Sequence, residues 1–187
     1  MAAPDRPNFL AVEIETERLK LVPLSMQWKM DCFREFNADI TTYMQWGPPK
    51  DPSVVEENIK KSLDELKNGV GLHLVILKKD TDEFLGRVGI EESNTRHPEI
   101  GLWLKKSAHG KGYGREAAAA VKQWADEQMD YEYIVYPVDR DNIQSRKIPE
   151  LLGGKVHESY DKKTNDGRTL HTVVYRIDAP THGQRSH

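Results

Sequence analysis

The chain has 187 residues, with 27 Lys and Arg against 30 Asp and Glu, so its formal net charge is only -3. At about 100 to 200 residues per domain, this length predicts one domain with short tails. No block of like charge indicates a nucleic acid or an anionic membrane as a partner. The longest apolar stretches are a few residues, whereas a bilayer-spanning helix needs about 20. We therefore expect a soluble protein that binds neither nucleic acid nor membrane.

The two ends of the chain and its single cysteine narrow the class further. Residues 1–11 and 178–187 are polar and show no apolar period. We expect both to be flexible tails around a single domain at residues 12–177. The N-terminus has no basic region followed by an apolar one, so nothing indicates export and the cytoplasm is the expected location. Cys32 is the only cysteine, which excludes an internal disulfide and a thiolate-based zinc site.

The first half of the chain predicts a strand followed by two helices. Alternating apolar residues predict the strand at residues 19–24. Helical spacing of apolar residues then predicts a helix that starts after Ser25 and ends near residue 37. The second predicted helix begins at a cap formed by Asp51 or Ser53, and Gly69 ends it.

The second half of the chain predicts a hairpin, further strands and two helices. Two apolar runs around a polar turn at residues 78–83 predict the hairpin, and residues 99–104 supply a third consecutive antiparallel strand. The remaining elements are, in order, a helix around residues 117–125, a strand at 133–138, a short helix at 142–152, and strands near 155–159 and 172–177. This order predicts an α+β fold around a mixed sheet.

A glycine-rich turn precedes the alanine-rich helix near residue 117. Its residues are His109, Gly110, Lys111, Gly112, Tyr113, Gly114 and Arg115. A helix N-terminus presents unpaired backbone N–H groups, and glycines let a phosphate approach that backbone closely. The turn therefore predicts an anion site, although a turn that merely begins a helix is a second interpretation.

The spacing of the glycines limits which phosphate ligands fit. The mononucleotide loop Gly-x-x-x-x-Gly-Lys-Ser/Thr occurs nowhere in the chain. The dinucleotide fingerprint Gly-x-Gly-x-x-Gly/Ala fits only with Ala117 in its third position and Glu132 as the later acidic residue. The predicted hairpin disfavours this alternative, because the fingerprint belongs to a βαβ unit.

Four separated segments, spanning about residues 14–177, resemble the GNAT acetyltransferase superfamily, and within it the RimJ/RimL type that acetylates protein N-terminal amines. The segments are residues 14–21, residues 99–104, residues 109–114, and Asn142-Ile143-Gln144-Ser145 with Leu152-Gly153-Gly154. The chain departs from the family pattern at three positions. His109 replaces the usual Gln or Arg, Val22 stands where Arg is frequent, and Pro149 interrupts the last helix. The resemblance implies the GNAT (acyl-CoA N-acyltransferase) fold, a mixed seven-stranded sheet with splayed fourth and fifth strands and flanking helices.

The resemblance also implies acetyl-CoA as the cofactor. Its pyrophosphate is expected at the glycine loop, on His109, Gly110, Lys111, Gly112, Tyr113, Gly114 and Arg115. The pantetheine arm is expected beside Leu102, Trp103 and Leu104, where a strand N–H polarises the thioester carbonyl; simple burial is the other interpretation of these three residues. Asn142 either caps its helix alone or also contacts the pantetheine amide.

Acetyl transfer to nitrogen needs a neutral amine, a route for its proton, and a donor for the departing thiolate. The resemblance places Glu99 at the start of the strand that faces the cofactor, and Glu99 is our first candidate for the base, with Glu91 and Glu92 as alternatives. Many family members carry a tyrosine seven residues after the asparagine, but Pro149 stands there. Ser145 is then the expected cofactor-binding proton donor, as serine is in the RimJ/RimL type.

The acceptor and the alternative functions remain open at the level of the sequence. Tyr43 and Trp46 are candidate acceptor-binding residues, because the loop between the first two helices lines the acceptor groove in the family. Glu91, after the third strand, is a further candidate. The histidines show no metal-ligand spacing, so we expect no metal. The first hypothesis is an N-acetyltransferase for protein N-termini, acting as a monomer or homodimer. Acetylation of a small amine (an antibiotic, polyamine or amino acid), a non-catalytic CoA-binding module and a dinucleotide oxidoreductase are the alternatives.

Overall fold

The computed structural model describes residues 7–181, so the predicted tails at residues 1–6 and 182–187 lie outside the described residues. A mixed sheet of eight strands forms the centre, in the spatial order β1-β2-β3-β4-β5-β6-β8-β7. The strands are β1 Ile14–Glu15, β2 Leu19–Pro23, β3 Leu72–Lys78, β4 Phe84–Glu91, β5 Glu99–Leu104, β6 Tyr133–Asp139, β7 Lys155–Lys163 and β8 Thr169–Asp178. Neighbouring strands are antiparallel except for β5 and β6, which are parallel.

The sheet confirms the predicted α+β fold, but the prediction of seven strands is wrong. The additional strand is β1, whose two residues pair with Lys20 and Leu21 of β2. Two residues are too few to show an alternating apolar pattern, and for this reason the sequence does not reveal the strand. The strands that the resemblance counts as fourth and fifth are therefore β5 and β6.

Five α-helices flank the sheet in the described part of the chain: α1 Lys29–Glu35, α2 Ala38–Thr41, α3 Pro52–Asn68, α4 Tyr113–Gln128 and α5 Ile143–Leu151. The predicted cap of the second helix is confirmed, because the Asp51 side chain accepts a hydrogen bond from the N–H of Ser53 at 2.8 Å. Gly69 ends α3 in the left-handed conformation, with φ 63°. No helix among residues 7–181 has the length and apolar character needed to cross a membrane.

The first predicted helix is interrupted near its end. The Ser25 side chain makes no capping hydrogen bond, and a 3₁₀ turn precedes α1. Phe36 leaves the helical backbone with ψ 66°, and the Asn37 side chain accepts a hydrogen bond from the N–H of Asp39 at 3.1 Å to begin α2. Asparagine competes with a continuous helix through such local hydrogen bonds. Apolar spacing alone therefore overstates this helix.

Within the predicted tail at residues 1–11, Phe9 is packed against the domain. Phe9 is 6% exposed, and its ring makes an edge contact with Trp124 at a centroid distance of 5.2 Å. The N–H of Phe9 also donates to the carbonyl of Leu66 at 2.9 Å. A single apolar residue in a polar segment shows no period, so its burial is not visible in the sequence.

The two faces of the sheet carry separate apolar clusters. One cluster includes the alanine-rich side of α4, whose small side chains let the helix lie close to the strands. The other includes Cys32 of α1, which confirms its predicted core position, and two residues of α3, Val55 and Ile59. The side chains of β5 alternate between the clusters: Leu102 and Leu104 pack with the first, and Trp103 packs with the second.

Candidate active site

The strands β5 and β6 pair at one position and then separate. Within residues 7–181 their only registered pair is Glu99 with Val135, supported by a hydrogen bond from the N–H of Val135 to the carbonyl of Pro98 at 2.9 Å. Beyond this pair, the β5 backbone groups that face β6 have no strand partner. Backbone N–H and C=O groups require partners when buried. The gap therefore suits a ligand with amide groups.

Three residues of β5 form a strip on one face of the strand: Glu99, Gly101 and Trp103. A side chain at Gly101 would meet no atom within 4 Å, so open space lies above the strand between the other two residues. Trp103 closes one end of this space, and its ring lies 4.9 Å from the ring of Phe36, which directly follows α1. The strip is thus the floor of a groove with a carboxyl group at its other end.

The carboxyl group of Glu99 is mostly buried, and burial raises its pKa from an ordinary value of 4.5 to about 7. The neighbouring carboxylates of Glu91 and Glu92 contribute to this rise in pKa, whereas Lys162 opposes it. Glu91 is the register partner of Glu99 on β4. A carboxyl group with a pKa near 7 takes up and releases protons at neutral pH, as a general base must.

The glycine loop leads from β5 into α4 through two left-handed residues, Gly110 with φ 75° and Gly112 with φ 79°. Gly112 is the N-cap of α4 and provides no side-chain acceptor, so the first N–H groups of the helix are available to a ligand. Gly114 is different, because a side chain there would touch Ile148, Leu102 and Leu104 at 3.4 to 3.5 Å. Its absence lets α4 pack closely against β5 and α5.

The loop is held from beneath by Arg18, which sequence reasoning did not assign to the site. Its Nη1 donates to the carbonyl of Lys111 at 2.8 Å, and its Nε donates to Glu116 at 2.7 Å. Burial opposes ionisation of Glu116, but hydrogen bonds from Thr16 and Arg18 outweigh it and lower the pKa of that carboxyl. Arg18 directly precedes the predicted first strand, but its contacts cross about 95 residues of sequence, and nothing in the local pattern indicates them.

The basic residues of the loop face outward. Lys111 and Arg115 are exposed, and neither forms an ion pair with another described residue. His109 folds back on the strand, with its Nε2 2.9 Å from the carbonyl of Leu104. Two cations beside a helix N-terminus produce a positive surface that suits a phosphate.

Ser145 lies in the first turn of α5, and Asn142 caps that helix as predicted. The side chain of Asn142 accepts a hydrogen bond from the N–H of Ser145 at 3.3 Å. Ser145 also contacts a residue that sequence reasoning missed, since its Oγ lies 3.1 Å from the hydroxyl of Tyr136 on β6. Strand alternation predicts that Tyr136 is buried, but its partner lies on another element.

The predicted acceptor residues Tyr43 and Trp46 lie in the loop after α2, and both side chains are exposed. The turn between β7 and β8 holds this loop in place. The guanidinium group of Arg168 donates to the carbonyls of Thr42 at 2.5 Å and Met44 at 3.2 Å, while its Nε pairs with Asp166 at 2.8 Å. Arg168 therefore joins two loops that are about 125 residues apart in sequence.

Glu91, the third predicted acceptor residue, also belongs to a cluster with His73 and Glu65. The two ring nitrogens of His73 face different carboxylates, with Glu65 2.6 Å from Nε2 and Glu91 3.8 Å from Nδ1. A metal ion binds one ring nitrogen, whereas here Glu65 hydrogen-bonds to Nε2 and Glu91 lies on the side of Nδ1, so the two carboxylates do not converge on the same nitrogen. The absence of a metal site remains a prediction.

A separate cavity of about 700 Å³ lies along β2 and the 3₁₀ turn before α1. None of the predicted site residues lines it. The candidate active site is therefore the groove above Gly101, which lies between Glu99 and Trp103 beside the splayed strands.

Comparison with known proteins identifies the family of the chain. Residues 18–155 match the family model described as an acetyltransferase (GNAT) domain. The chain is 29% identical over 142 residues to an uncharacterized N-acetyltransferase, p20, from Bacillus licheniformis, a match that covers 73% of this chain and 79% of that protein.

Two solved structures share the fold at low sequence identity. One is the acetyltransferase that modifies the N-terminal serine of the 50S ribosomal subunit protein L7/L12 of Salmonella typhimurium, with a TM-score of 0.79, 14% identity, and coverage of 90% of this chain and 100% of that one. The other is the microcin C7 self-immunity acetyltransferase MccE in complex with acetyl-CoA and AMP, with a TM-score of 0.77, 18% identity, and coverage of 87% and 93%. At these identities the similarity demonstrates the fold alone.

The raised pKa of Glu99 predicts a specific pH dependence of stability. Between pH 4.5 and about 7, the folded protein retains a proton on Glu99 that the unfolded chain has released. The free energy of unfolding therefore falls as the pH rises through this range, by on the order of 2 kcal/mol for this group. Glu99→Gln removes this contribution.

Urea unfolding of the wild type and of Glu99→Gln at pH 5 and pH 8.5 measures the contribution of Glu99 to the free energy of unfolding. We expect the variant to gain stability relative to wild type by on the order of 2 kcal/mol between these two pH values. A stability difference that is the same at both pH values would show that Glu99 titrates normally.

Proposed function

Since the chain belongs to the GNAT acetyltransferase family and is an acetyl-CoA-dependent N-acetyltransferase, we propose that its acceptor is the N-terminal amine of a protein or peptide, which attacks directly in a ternary complex. The observation that carries this proposal is the Glu99 carboxyl group, with a pKa of about 7, beside the open space above Gly101.

The pKa of Glu99 suits an α-amine better than a lysine side chain. An α-ammonium group with a pKa of about 7.7 to 8.0 gives its proton to a base of pKa about 7 at a cost of roughly 1 kcal/mol. A lysine ammonium group with a pKa of about 10.4 requires roughly 4.6 kcal/mol for the same transfer. Glu99 is therefore strong enough as a base for a chain terminus and weak for a lysine.

The charges around the groove favour a cationic acceptor. Glu91 and Glu92 lie close enough to Glu99 to raise its pKa, and the same field attracts an ammonium group. Lys162 provides an opposing positive charge from β7. An acceptor that arrives as an ammonium ion is thus drawn toward the base that deprotonates it.

The link between the β7–β8 turn and the loop after α2 favours a chain end over an internal side chain. Arg168 fastens that turn to the carbonyls of Thr42 and Met44, next to the exposed Tyr43 and Trp46. With both loops tied together, an acceptor enters the groove end-on. The peptide chain continues in only one direction from a terminal amine, whereas it continues in both directions from an internal lysine.

The residues of the loop and of β5 fit acetyl-CoA. Gly110 to Arg115 offer free N–H groups and two cations to the pyrophosphate, and the unpaired edge of β5 at Leu102, Trp103 and Leu104 offers hydrogen bonds to the pantetheine amides. When bound, acetyl-CoA supplies the acetyl group as a thioester.

Glu99 takes the proton of the amine, directly or through water, as the nitrogen bonds to the thioester carbonyl carbon. A backbone N–H of β5 stabilises the charge that develops on the carbonyl oxygen. As the carbon–sulfur bond breaks, the Ser145 hydroxyl gives its proton to the sulfur. Glu99 then releases the proton of the amine to solvent and solvent returns a proton to Ser145, so both residues regain their starting states.

We further propose that the protein works in the cytoplasm as a monomer or homodimer, without nucleic acid or membrane. A small-molecule amine is the second candidate acceptor, because the groove above Gly101 also admits a compact amine.

A pair of peptides tests the acceptor. The first has eight residues, a free N-terminus and no lysine; the second is the same peptide with a formylated N-terminus and one central lysine. We expect kcat/KM to be at least about 100-fold higher for the first, following the difference in proton-transfer cost. Spermidine serves as the small-amine probe.

Arg168→Ala should reduce this preference by freeing the two loops. Arg176→Ala is the control, because Arg176 pairs with Asp178 by a 2.6 Å contact away from the loop after α2. A higher kcat/KM for spermidine or for the lysine peptide in the wild type would reject the N-terminal acceptor.

Gly112→Glu tests the cofactor loop, because it places a carboxylate where a phosphate belongs. Coenzyme A at 100 times its Kd should stabilise the wild type by about 2.7 kcal/mol, and NAD should not stabilise it. Gly153→Glu is a control for backbone strain, since Gly153 has the same φ of 79°. A side chain at Gly153 would meet no atom within 4 Å, whereas one at Gly112 would meet the guanidinium groups of Arg115 and Arg18 at 3.2 and 3.4 Å. Both variants should lose Tm through backbone strain, but only Gly112→Glu should lose the response to coenzyme A. If Gly112→Glu still responds fully, the loop is only a turn.

Ser145→Ala tests the proton donor. Proton donation is worth about 10² to 10⁴ in rate, and a thiolate that leaves readily reduces this, so we expect kcat to fall at least about tenfold with coenzyme A affinity nearly unchanged. Ser53→Ala is the control, because Ser53 also lies in the first turn of a helix beside an Asx cap. Steady-state kinetics and a binding titration distinguish the outcomes. An unchanged kcat would mean that water or the substrate supplies the proton.

A further inference from the structure

The proposed proton donor Ser145 has a buried hydroxyl group next to it. Tyr136 lies on β6 and is 3% exposed, and its hydroxyl oxygen is 3.1 Å from Ser145 Oγ. Burial raises the pKa of Tyr136 to about 12, although the hydrogen bond with Ser145 opposes the rise. The phenol is therefore protonated at every pH at which an amine acetyltransferase works.

The surroundings of the two hydroxyl groups decide which one donates. Within residues 7–181, Ser145 is the only hydrogen-bond partner of the Tyr136 hydroxyl. A buried O–H group without an acceptor is destabilising, and a phenol is a stronger donor than a serine hydroxyl. Tyr136 therefore donates, and Ser145 Oγ accepts.

The proton of Ser145 is then left to point elsewhere. A helical serine often donates to a backbone carbonyl one turn earlier. In the described structure each of those carbonyls accepts from a backbone N–H: Asp141 from Ile143 at 3.0 Å, and Asn142 from Arg146 at 3.1 Å. No hydrogen bond from Ser145 Oγ to either carbonyl occurs in the described structure.

We propose that Tyr136 is a positioning residue that directs the Ser145 hydroxyl proton toward the departing sulfur. This inference rests on the proposed role of Ser145. By donating to Ser145 Oγ, Tyr136 fixes the orientation of the Ser145 hydroxyl group. The same hydrogen bond polarises the O–H bond of Ser145, which makes Ser145 a stronger donor. Tyr136 keeps its own proton throughout. In this chain Pro149 occupies the helix position where many family members carry a tyrosine. We propose that Tyr136, on a strand, supports proton donation indirectly through Ser145.

Tyr175 provides a matched control. It is the register partner of Tyr136 on β8 and is 2% exposed. Its hydroxyl also binds α5, donating to Glu150 at 2.7 Å and accepting from Arg146 Nε at 3.0 Å. Both tyrosines thus anchor the same helix, but only Tyr136 contacts Ser145.

The experiment is a double-mutant cycle of Tyr136→Phe and Ser145→Ala, with Tyr175→Phe alongside. We measure kcat with saturating acetyl-CoA and the free-N-terminus peptide, the Kd of coenzyme A by calorimetry, and the Tm of each variant without ligand. Tyr136→Phe should lower kcat about fivefold, well within the range for proton transfer, and change the Kd less than twofold. In the Ser145→Ala background it should change kcat less than twofold.

The Tm values provide a readout that does not depend on activity. Tyr136→Phe and Ser145→Ala should lower Tm non-additively, because both remove the same hydrogen bond. Tyr175→Phe should lower Tm as well but leave kcat within twofold of wild type.

Each contrary outcome rejects a different statement. If Tyr136→Phe lowers kcat equally in both backgrounds, or Tyr175→Phe lowers kcat as much, Tyr136 does not act through Ser145. If Ser145→Ala lowers kcat while Tyr136→Phe does not, only the positioning role is wrong. If Ser145→Ala leaves kcat unchanged, the proposed proton donor is wrong, and the role of Tyr136 fails with it.

Discussion

The single parallel contact between β5 and β6, at Glu99 and Val135, is the constraint on which the rest of the site depends. Because the strands separate beyond it, β5 keeps an unpaired edge and the sheet acquires a gap without losing its continuity. The end of β5 leads into the glycine loop, and the end of β6 leads into α5 with Ser145. A continuous ladder here would fill the gap and leave no place for an extended cofactor arm.

The same contact determines the electrostatics of the site. Glu99 sits at the closed end of the gap, where neighbouring strands exclude water and Glu91 lies directly across from it. Burial and like charge both raise its pKa, whereas the glycine loop at the open end carries exposed cations and free helix N–H groups. A carboxyl group with a raised pKa and a positively charged surface therefore lie at the two ends of one strand of six residues.

Local patterns in the sequence predict the frame of this site well. The bounds of β5, the Asp51 and Asn142 caps and the left-handed glycines follow from periodicity and backbone chemistry, and membership of the GNAT family is confirmed. The roles of Glu99, Ser145 and the loop residues remain predictions. The sequence does not reveal the features of the site that depend on contacts between distant segments. Arg18 contacts the glycine loop, Arg168 contacts the loop after α2, and Tyr136 contacts Ser145. No local apolar period identifies these partners.

The central claim is that Glu99, with a pKa raised to about 7, accepts the proton of the acceptor amine. The most direct test is the pH profile of kcat/KM for acetyl transfer to a peptide N-terminus, in wild type and in Glu99→Gln. The account predicts that wild-type kcat/KM rises through an apparent pKa near 7 in addition to the ionisation of the amine, and that Glu99→Gln loses this step and lowers kcat/KM by about 10² or more. Profiles of the same shape and height in both proteins would contradict it.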